Sequence, residues 1–245
     1  MALNVIVAKD YQELSQKVAD LMIERIRQNP EIKLGLATGS TPVGMYRNLI
    51  EDHKKNGTSY KNVTSFNLDE YVGLPETHLQ SYRYFMNDTL FDHIDINKEN
   101  TYVPRGDVDD FEKECVDYEN LIEKHDGIDL QVLGIGTNGH IGFNEPGTSF
   151  DSKTHTVELK PSTREDNARF FASIDEVPTR AITMGIDTIM KSKEILLVIS
   201  GENKKEAVEK LLSGEVSEDF PASVLNNHPN VTVFVDEAAY PSANK

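Results

Sequence analysis

The chain has 245 residues, 38% of them hydrophobic, with 41 acidic against 25 basic side chains and a formal net charge of -16. That charge argues against a sequence-independent nucleic-acid partner or an anionic membrane, because both need a positive field; no run approaches the roughly 18 to 20 apolar residues that span a bilayer. The single cysteine, Cys115, excludes an internal disulfide and a cysteine-cage zinc site, and the N-terminus lacks the basic and apolar regions of a signal peptide, so the expected compartment is the cytoplasm.

The first apolar run, LNVIV, predicts a strand, and YQELSQKVADLMIERIRQ after it predicts a helix, with Leu14, Val18, Leu21 and Met22 at spacings of three and four. Asp10 is its expected N-cap, with Glu13 three residues on. The second strand, IKLGLAT, runs into Thr38, Gly39, Ser40, Thr41 and Pro42. Thr41 as N-cap and Pro42 at the first helical position would present backbone N–H groups and hydroxyls to an anion, a phosphate above all. An ordinary, well-capped strand-to-helix turn accounts for the same residues. The turn is not a Walker A loop, having no lysine after its glycine.

The third strand, VTSFNL, ends in Asp69 and Glu70. Adjacent side chains at a strand end face opposite ways, so one carboxylate enters a site, and Asp69 is the candidate base for a proton on carbon next to a carbonyl or imine. The alternative is a turn cap. A second clear helix, DDFEKECVDYENLIEKH, turns Phe111, Cys115, Tyr118, Leu121 and Ile122 inward, and Gly127 is placed to stop it. The strand IDLQVLGIG then delivers Asn138 and His140, with Glu145 in the same glycine-rich loop. Histidine passes protons near neutral pH and a neighbouring carboxylate or amide fixes its tautomer, which makes this loop a candidate acid–base relay. No H-E-x-x-H spacing accompanies it, so neither a metal nor a cofactor is expected.

Arg164 and Arg169 follow, and the strand EILLVIS leads into SGENK, which sets Lys204 at a helix start that also favours an anion. The last strand is NVTVFVD. Six strands alternating with helical segments predict one α/β domain over 1–245, a largely parallel doubly wound sheet with helices on both faces. Ligands of such sheets bind beyond the carboxyl ends of the strands. The turn, Asp69, the His140 loop and Lys204 all fall there, which points to a phosphorylated small molecule undergoing proton transfer at carbon.

LATGSTPVGMY, FNLDEYVGL, GIGTNGHIGFNEPG, NARFF and SGENKKEAV, in that order over most of the chain, resemble the glucosamine-6-phosphate deaminase family. The resemblance implies a modified Rossmann-like α/β fold shared with sugar-phosphate isomerases, and the reaction of D-glucosamine 6-phosphate with water to give D-fructose 6-phosphate and ammonia. It implies that His140, assisted by Glu145 and Asn138, opens the pyranose ring and that Asp69 removes the C2 proton. Thr38, Gly39, Ser40, Thr41, Arg169 and Lys204 would hold the 6-phosphate. Some members carry aspartate where this chain has Asn138, an amide that can orient His140 but cannot share its charge. The chain ends at Lys245 without the extension of the hexameric, allosteric members, so activation by N-acetylglucosamine 6-phosphate is expected to be weak or absent. The expected state is a monomer or small homo-oligomer with a lid around Asn144 to Arg169. A 6-phosphogluconolactonase and a sugar-phosphate-binding regulator are the rival readings.

Overall fold

The computed structural model describes residues 3–241; the chain's end, on which the expectation about allosteric activation rests, lies outside them. The chain begins with β1 (Asn4–Ala8), α1 (Tyr11–Gln28), β2 (Lys33–Leu36), α2 (Val43–Asn56), β3 (Thr64–Asn67), β4 (Asp69–Tyr71), α3 (Tyr82–Thr89) and β5 (Thr101–Tyr102). It continues through α4 (Phe111–Lys124), β6 (Leu130–Leu133), β7 (His155–Glu158), α5 (Pro161–Asn167), β8 (Arg180–Thr183) and α6 (Ile186–Met190). The last elements are β9 (Glu194–Ile199), α7 (Lys205–Leu212) and β10 (Val231–Asp236).

Seven strands form the main sheet in the order β1-β10-β9-β6-β2-β3-β5, every neighbouring pair parallel. Along β9 the side chains divide between two cores. Leu196 and Val198 meet α1 and α2 on one face, and Ile195, Leu197 and Ile199 meet α4, α6 and α7 on the other. Burial on both faces is why these strands read as unbroken apolar runs. From β2 the chain steps outward through β3 to β5, then crosses to the other side of β2 for β6 and continues to β9 and β10. The switch point therefore lies between β2 and β6, and a crevice opens at their carboxyl ends.

The structure corrects the sequence expectation in three places. The main sheet has a seventh strand, β5, whose two residues are too short to leave a pattern. A second, antiparallel sheet, β4-β8-β7, stands apart from it. And α2 begins at Val43 with Pro42 as its cap residue and no side-chain cap, so Thr41 does not cap it. The Tyr11 hydroxyl satisfies the start of this helix instead, accepting from the Gly44 N–H at 2.9 Å and donating towards the Thr41 carbonyl at 2.8 Å. The other expected helix ends hold. The Asp10 side chain accepts from the Glu13 N–H at 2.9 Å, and α4 ends ahead of Gly127, whose N–H reaches the Ile122 carbonyl at 2.9 Å.

Candidate active site

A cleft of about 330 Å³ opens at the carboxyl ends of β2, β3, β6 and β9. Its walls include the Thr38–Thr41 turn, Asp69, His140, Lys204, Tyr82 and Phe143. Five separate stretches of chain thus meet at the switch point.

Asp69 is the first residue of β4 and pairs with Thr183 of β8. It is 8% exposed, and burial, with the Glu70 carboxylate next to it, pushes its pKa up to about 8. Loss of hydration disfavours the anion, so the carboxylate that does form is a much stronger base than one in water. Glu70 faces the other way: its oxygens accept the backbone N–H groups of Tyr71, Tyr82 and Arg83 at 2.8, 2.9 and 2.9 Å. Strand alternation separates the two neighbours as expected, and the capping carboxylate is Glu70.

The loop after β6 answers why so much chemistry sits on so little bulk. A Cβ at Gly136 would lie 2.0 Å from His140 Cδ2 and 2.2 Å from Nε2, so the imidazole rests directly on that glycine. Gly142, at φ 57°, comes close to Thr183 and, at 4.0 Å from its Cβ position, to Asp69 Oδ2. A Cβ at Gly142 would stand 2.9 Å from Thr183 Oγ1, so a larger residue there would crowd the strand that pairs with Asp69. Burial holds His140 below the usual imidazole range, with Glu145 opposing and Lys204 reinforcing the shift. A neutral ring can accept a proton.

His140 Nδ1 is buried, makes no hydrogen bond among the described residues, and lies 3.8 Å from Glu145 Oε1. Asn138 ties this pair together differently from the sequence expectation. Its amide donates to Glu145 Oε2 at 2.9 Å, and its oxygen accepts the backbone N–H of His140, not a ring nitrogen, at 3.1 Å. Glu145 also faces Lys160 at 3.9 Å.

Across the cleft, Lys204 donates its ammonium to the Ile135 carbonyl at 2.6 Å, and burial lowers its pKa. It closes a short helical turn ahead of α7, opposite Thr38, Gly39, Ser40 and Thr41. Arg169 does not join them: it is exposed, does not line the cleft, and its guanidinium lies 4.6 Å from the ring centre of Phe170. The structure therefore brings Thr38 to Thr41, Asp69, His140 and Lys204 into one cleft, keeps Asn138 and Glu145 beside the imidazole, and leaves Arg169 outside. Sequence reasoning missed Tyr82, Phe143 and Ser200, all in the cleft wall. Ser200 follows β9 directly and was open to inference; Tyr82 and Phe143 get there through the small sheet, which left no pattern.

A parallel sheet whose switch point carries a hydroxyl-rich turn, a buried ammonium, a carboxylate base and a neutral imidazole defines a protein that handles small phosphorylated molecules by acid–base chemistry. Comparison with known proteins makes this specific: residues 8–234 match the family of glucosamine-6-phosphate isomerases and 6-phosphogluconolactonases, and the chain belongs to it. A glucosamine-6-phosphate deaminase of Shouchella clausii is 60% identical over 97% of this chain and 96% of its own length. The solved structure of a monomeric glucosamine-6-phosphate deaminase superposes with a TM-score of 0.94 at 52% identity, covering 97% of this chain and 98% of that one. The 6-phosphogluconolactonase of Thermotoga maritima shares the fold at TM-score 0.75 but only 21% identity, over 96% of this chain and 100% of that one.

Proposed function

We propose that the chain, acting as one catalytic domain, isomerises and hydrolytically deaminates D-glucosamine 6-phosphate, giving D-fructose 6-phosphate and ammonia. The observation that carries this reading is the pairing in one cleft of a buried carboxylate whose pKa is pushed up to about 8 with an imidazole held neutral. Two proton transfers of different kinds need two such groups. Identity of 60% to a deaminase, against 21% to a lactonase, supports the same choice.

In this scheme the neutral His140 takes the proton of the anomeric hydroxyl and returns it to the ring oxygen as the C1–O5 bond breaks, while Glu145 stabilises the imidazolium that forms in between. Asn138 holds Glu145 in place. Asp69 then removes the C2 proton of the open-chain sugar to give an enolamine. Protonation at C1 yields an imine at C2, and water adds there to release ammonia and leave the ketose. Only water is consumed, so no cofactor is needed. The turn from Thr38 to Thr41 and Lys204 hold the 6-phosphate, which anchors the sugar away from the carboxylates. Arg169 joins the phosphate when the segment carrying α5 closes over the cleft. The setting is the cytoplasm and amino-sugar catabolism, with the chain as a monomer or small homo-oligomer and without a nucleic-acid partner.

The test is a coupled assay for ammonia and fructose 6-phosphate from glucosamine 6-phosphate. Absence of ammonia, with hydrolysis of 6-phosphogluconolactone instead, would refute the proposal. Within the same assay, Lys204→Met is expected to raise KM about 10- to 100-fold with kcat little changed. A charge-assisted contact to phosphate is made equally in ground and transition states, and its loss weakens both. A fall in kcat at unchanged KM would instead move Lys204 into the chemistry.

A further inference from the structure

Glu70 is a buried carboxylate that the scheme above does not use. It is 3% exposed and does not line the cleft. Its Oε1 accepts from the Tyr71 and Tyr82 N–H groups and its Oε2 from that of Arg83, all at 2.8 to 2.9 Å. Tyr71 belongs to β4, the strand that starts with Asp69; Tyr82 and Arg83 open α3. Of these, Tyr82 is itself a cleft wall facing Asp69, and its ring stacks on Phe143 with centroids 6.3 Å apart. One side chain therefore bolts the strand carrying Asp69 to the helix carrying the wall in front of it.

We propose that Glu70 is a positioning residue for proton abstraction, fixing Asp69 against Tyr82 by clamping the start of α3 to β4 and keeping a like charge beside the base. The proposal rests on the deaminase reading. Three N–H groups on one carboxylate make the clamp stiff, since each would be an unmet buried donor without it. The charge acts in the direction that suits a base: burial is the main cause of Asp69's raised value and the Glu70 anion adds to it, and Glu70, itself pushed up by burial to about 7, is the first of the two to ionise. The other charged or titratable groups facing Glu70 are the Arg83 guanidinium of α3, which opposes burial, and the hydroxyls of Tyr71 and Tyr82. Tyr118 of α4 stands on the Asp69 side. None supplies a second negative charge at neutral pH.

The experiment compares parent, Glu70→Gln and Glu70→Asp by ammonia release from glucosamine 6-phosphate and from its C2-deuterated form between about pH 6 and 9. Titrations of the substrate are common to all three proteins and cancel. Glu70→Gln removes the charge, and the acid limb of kcat/KM is expected to move down by about one pH unit. Its kcat falls about tenfold, and the deuterium effect on kcat rises because proton abstraction becomes slower relative to the other steps. Glu70→Asp keeps the charge but falls short of α3: the acid limb stays with the parent while kcat falls and the isotope effect rises. An acid limb unmoved in Glu70→Gln overturns the proposal, as does a loss of kcat with the parent's isotope effect, which a merely structural role would give. Should Glu70→Gln not fold, the isotope effect in Glu70→Asp decides alone. A parent that releases no ammonia overturns the deaminase reading itself, whereas an active parent with unresponsive variants overturns the role of Glu70 only.

Discussion

Asp69→Asn is expected to lower turnover of glucosamine 6-phosphate about 10³-fold, the loss that follows removal of a general base, with KM close to the parent's. The amide has the shape of the carboxylate but cannot take a proton. In the proposed scheme the 6-phosphate is held elsewhere, by the Thr38–Thr41 turn and Lys204 on the cleft wall, so binding is expected to survive. In the parent, the base works only when ionised. With its pKa near 8, kcat/KM climbs with pH by about tenfold per unit below that value and levels off above it. The same group makes stability depend on pH in the opposite sense. Its folded pKa lies above the ordinary 3.8, so between 3.8 and about 8 the folded chain binds more protons than the unfolded one, and stability falls as pH rises through that window. Asp69→Asn lacks this penalty. Melting temperatures of variant and parent are therefore expected to diverge with pH, the inactive variant being the more stable by several degrees at pH about 8 and by little at pH about 5. Equal melting curves across that range would show that Asp69 is not buried as an acid, and turnover within tenfold of the parent would show that it is not the base.

How much of the fold and the site is legible in the sequence depends on burial. Of the six strands expected, β2, β3, β6, β9 and β10 are buried almost throughout, and in β9 and β10 that burial wrote EILLVIS and NVTVFVD into the sequence, while β1, at the sheet's edge, is half-exposed. The small sheet is built from DEY, HTVE and RAIT, three or four residues each with polar members. Main-sheet strands as short as four residues were legible because they are buried and sit in longer apolar runs, which DEY, HTVE and RAIT lack, yet it is this small sheet that sets Asp69 opposite Thr183. So the parting of Asp69 from Glu70 was legible from strand alternation, while the surroundings of Asp69, which include Tyr82, Phe143 and Thr183, were not. Thr41 misled for a local reason: the helix starts one residue later than Pro42 suggests, and its first turn is satisfied by Tyr11, 33 residues away from Gly44. Asn138 was legible as a partner of His140 but not as one that holds the main chain, because residue type does not tell which atom an amide meets. Positive charge was likewise readable at Lys204 and Arg169, but only Lys204 sits at a strand end, and only it lines the cleft.

Gly136→Ala tests the ring-opening half of the scheme without touching a titratable group. The added methyl would stand 2.0 Å from His140 Cδ2, far inside van der Waals contact, and the neighbour that must yield is the imidazole. The ring has room to swing because its side chain is 35% exposed, so the cost falls on geometry rather than folding. A displacement of about 1 Å at a reacting group costs on the order of 10²-fold in rate, and that loss in kcat is expected here. Two further readouts tie the loss to His140. In the double variant with His140→Ala the substitution at Gly136 should add nothing, since the group it displaces is gone. With the C2-deuterated substrate, the isotope effect on kcat should shrink towards unity, because ring opening then limits turnover and the C–H bond is broken afterwards. This is opposite in sign to the change expected at Glu70. One substitution in the glycine-rich loop and one on β4, neither at a group that transfers a proton in the scheme, thus separate the two proton transfers. A Gly136→Ala enzyme with parental turnover, or one whose isotope effect grows, would place His140 outside ring opening.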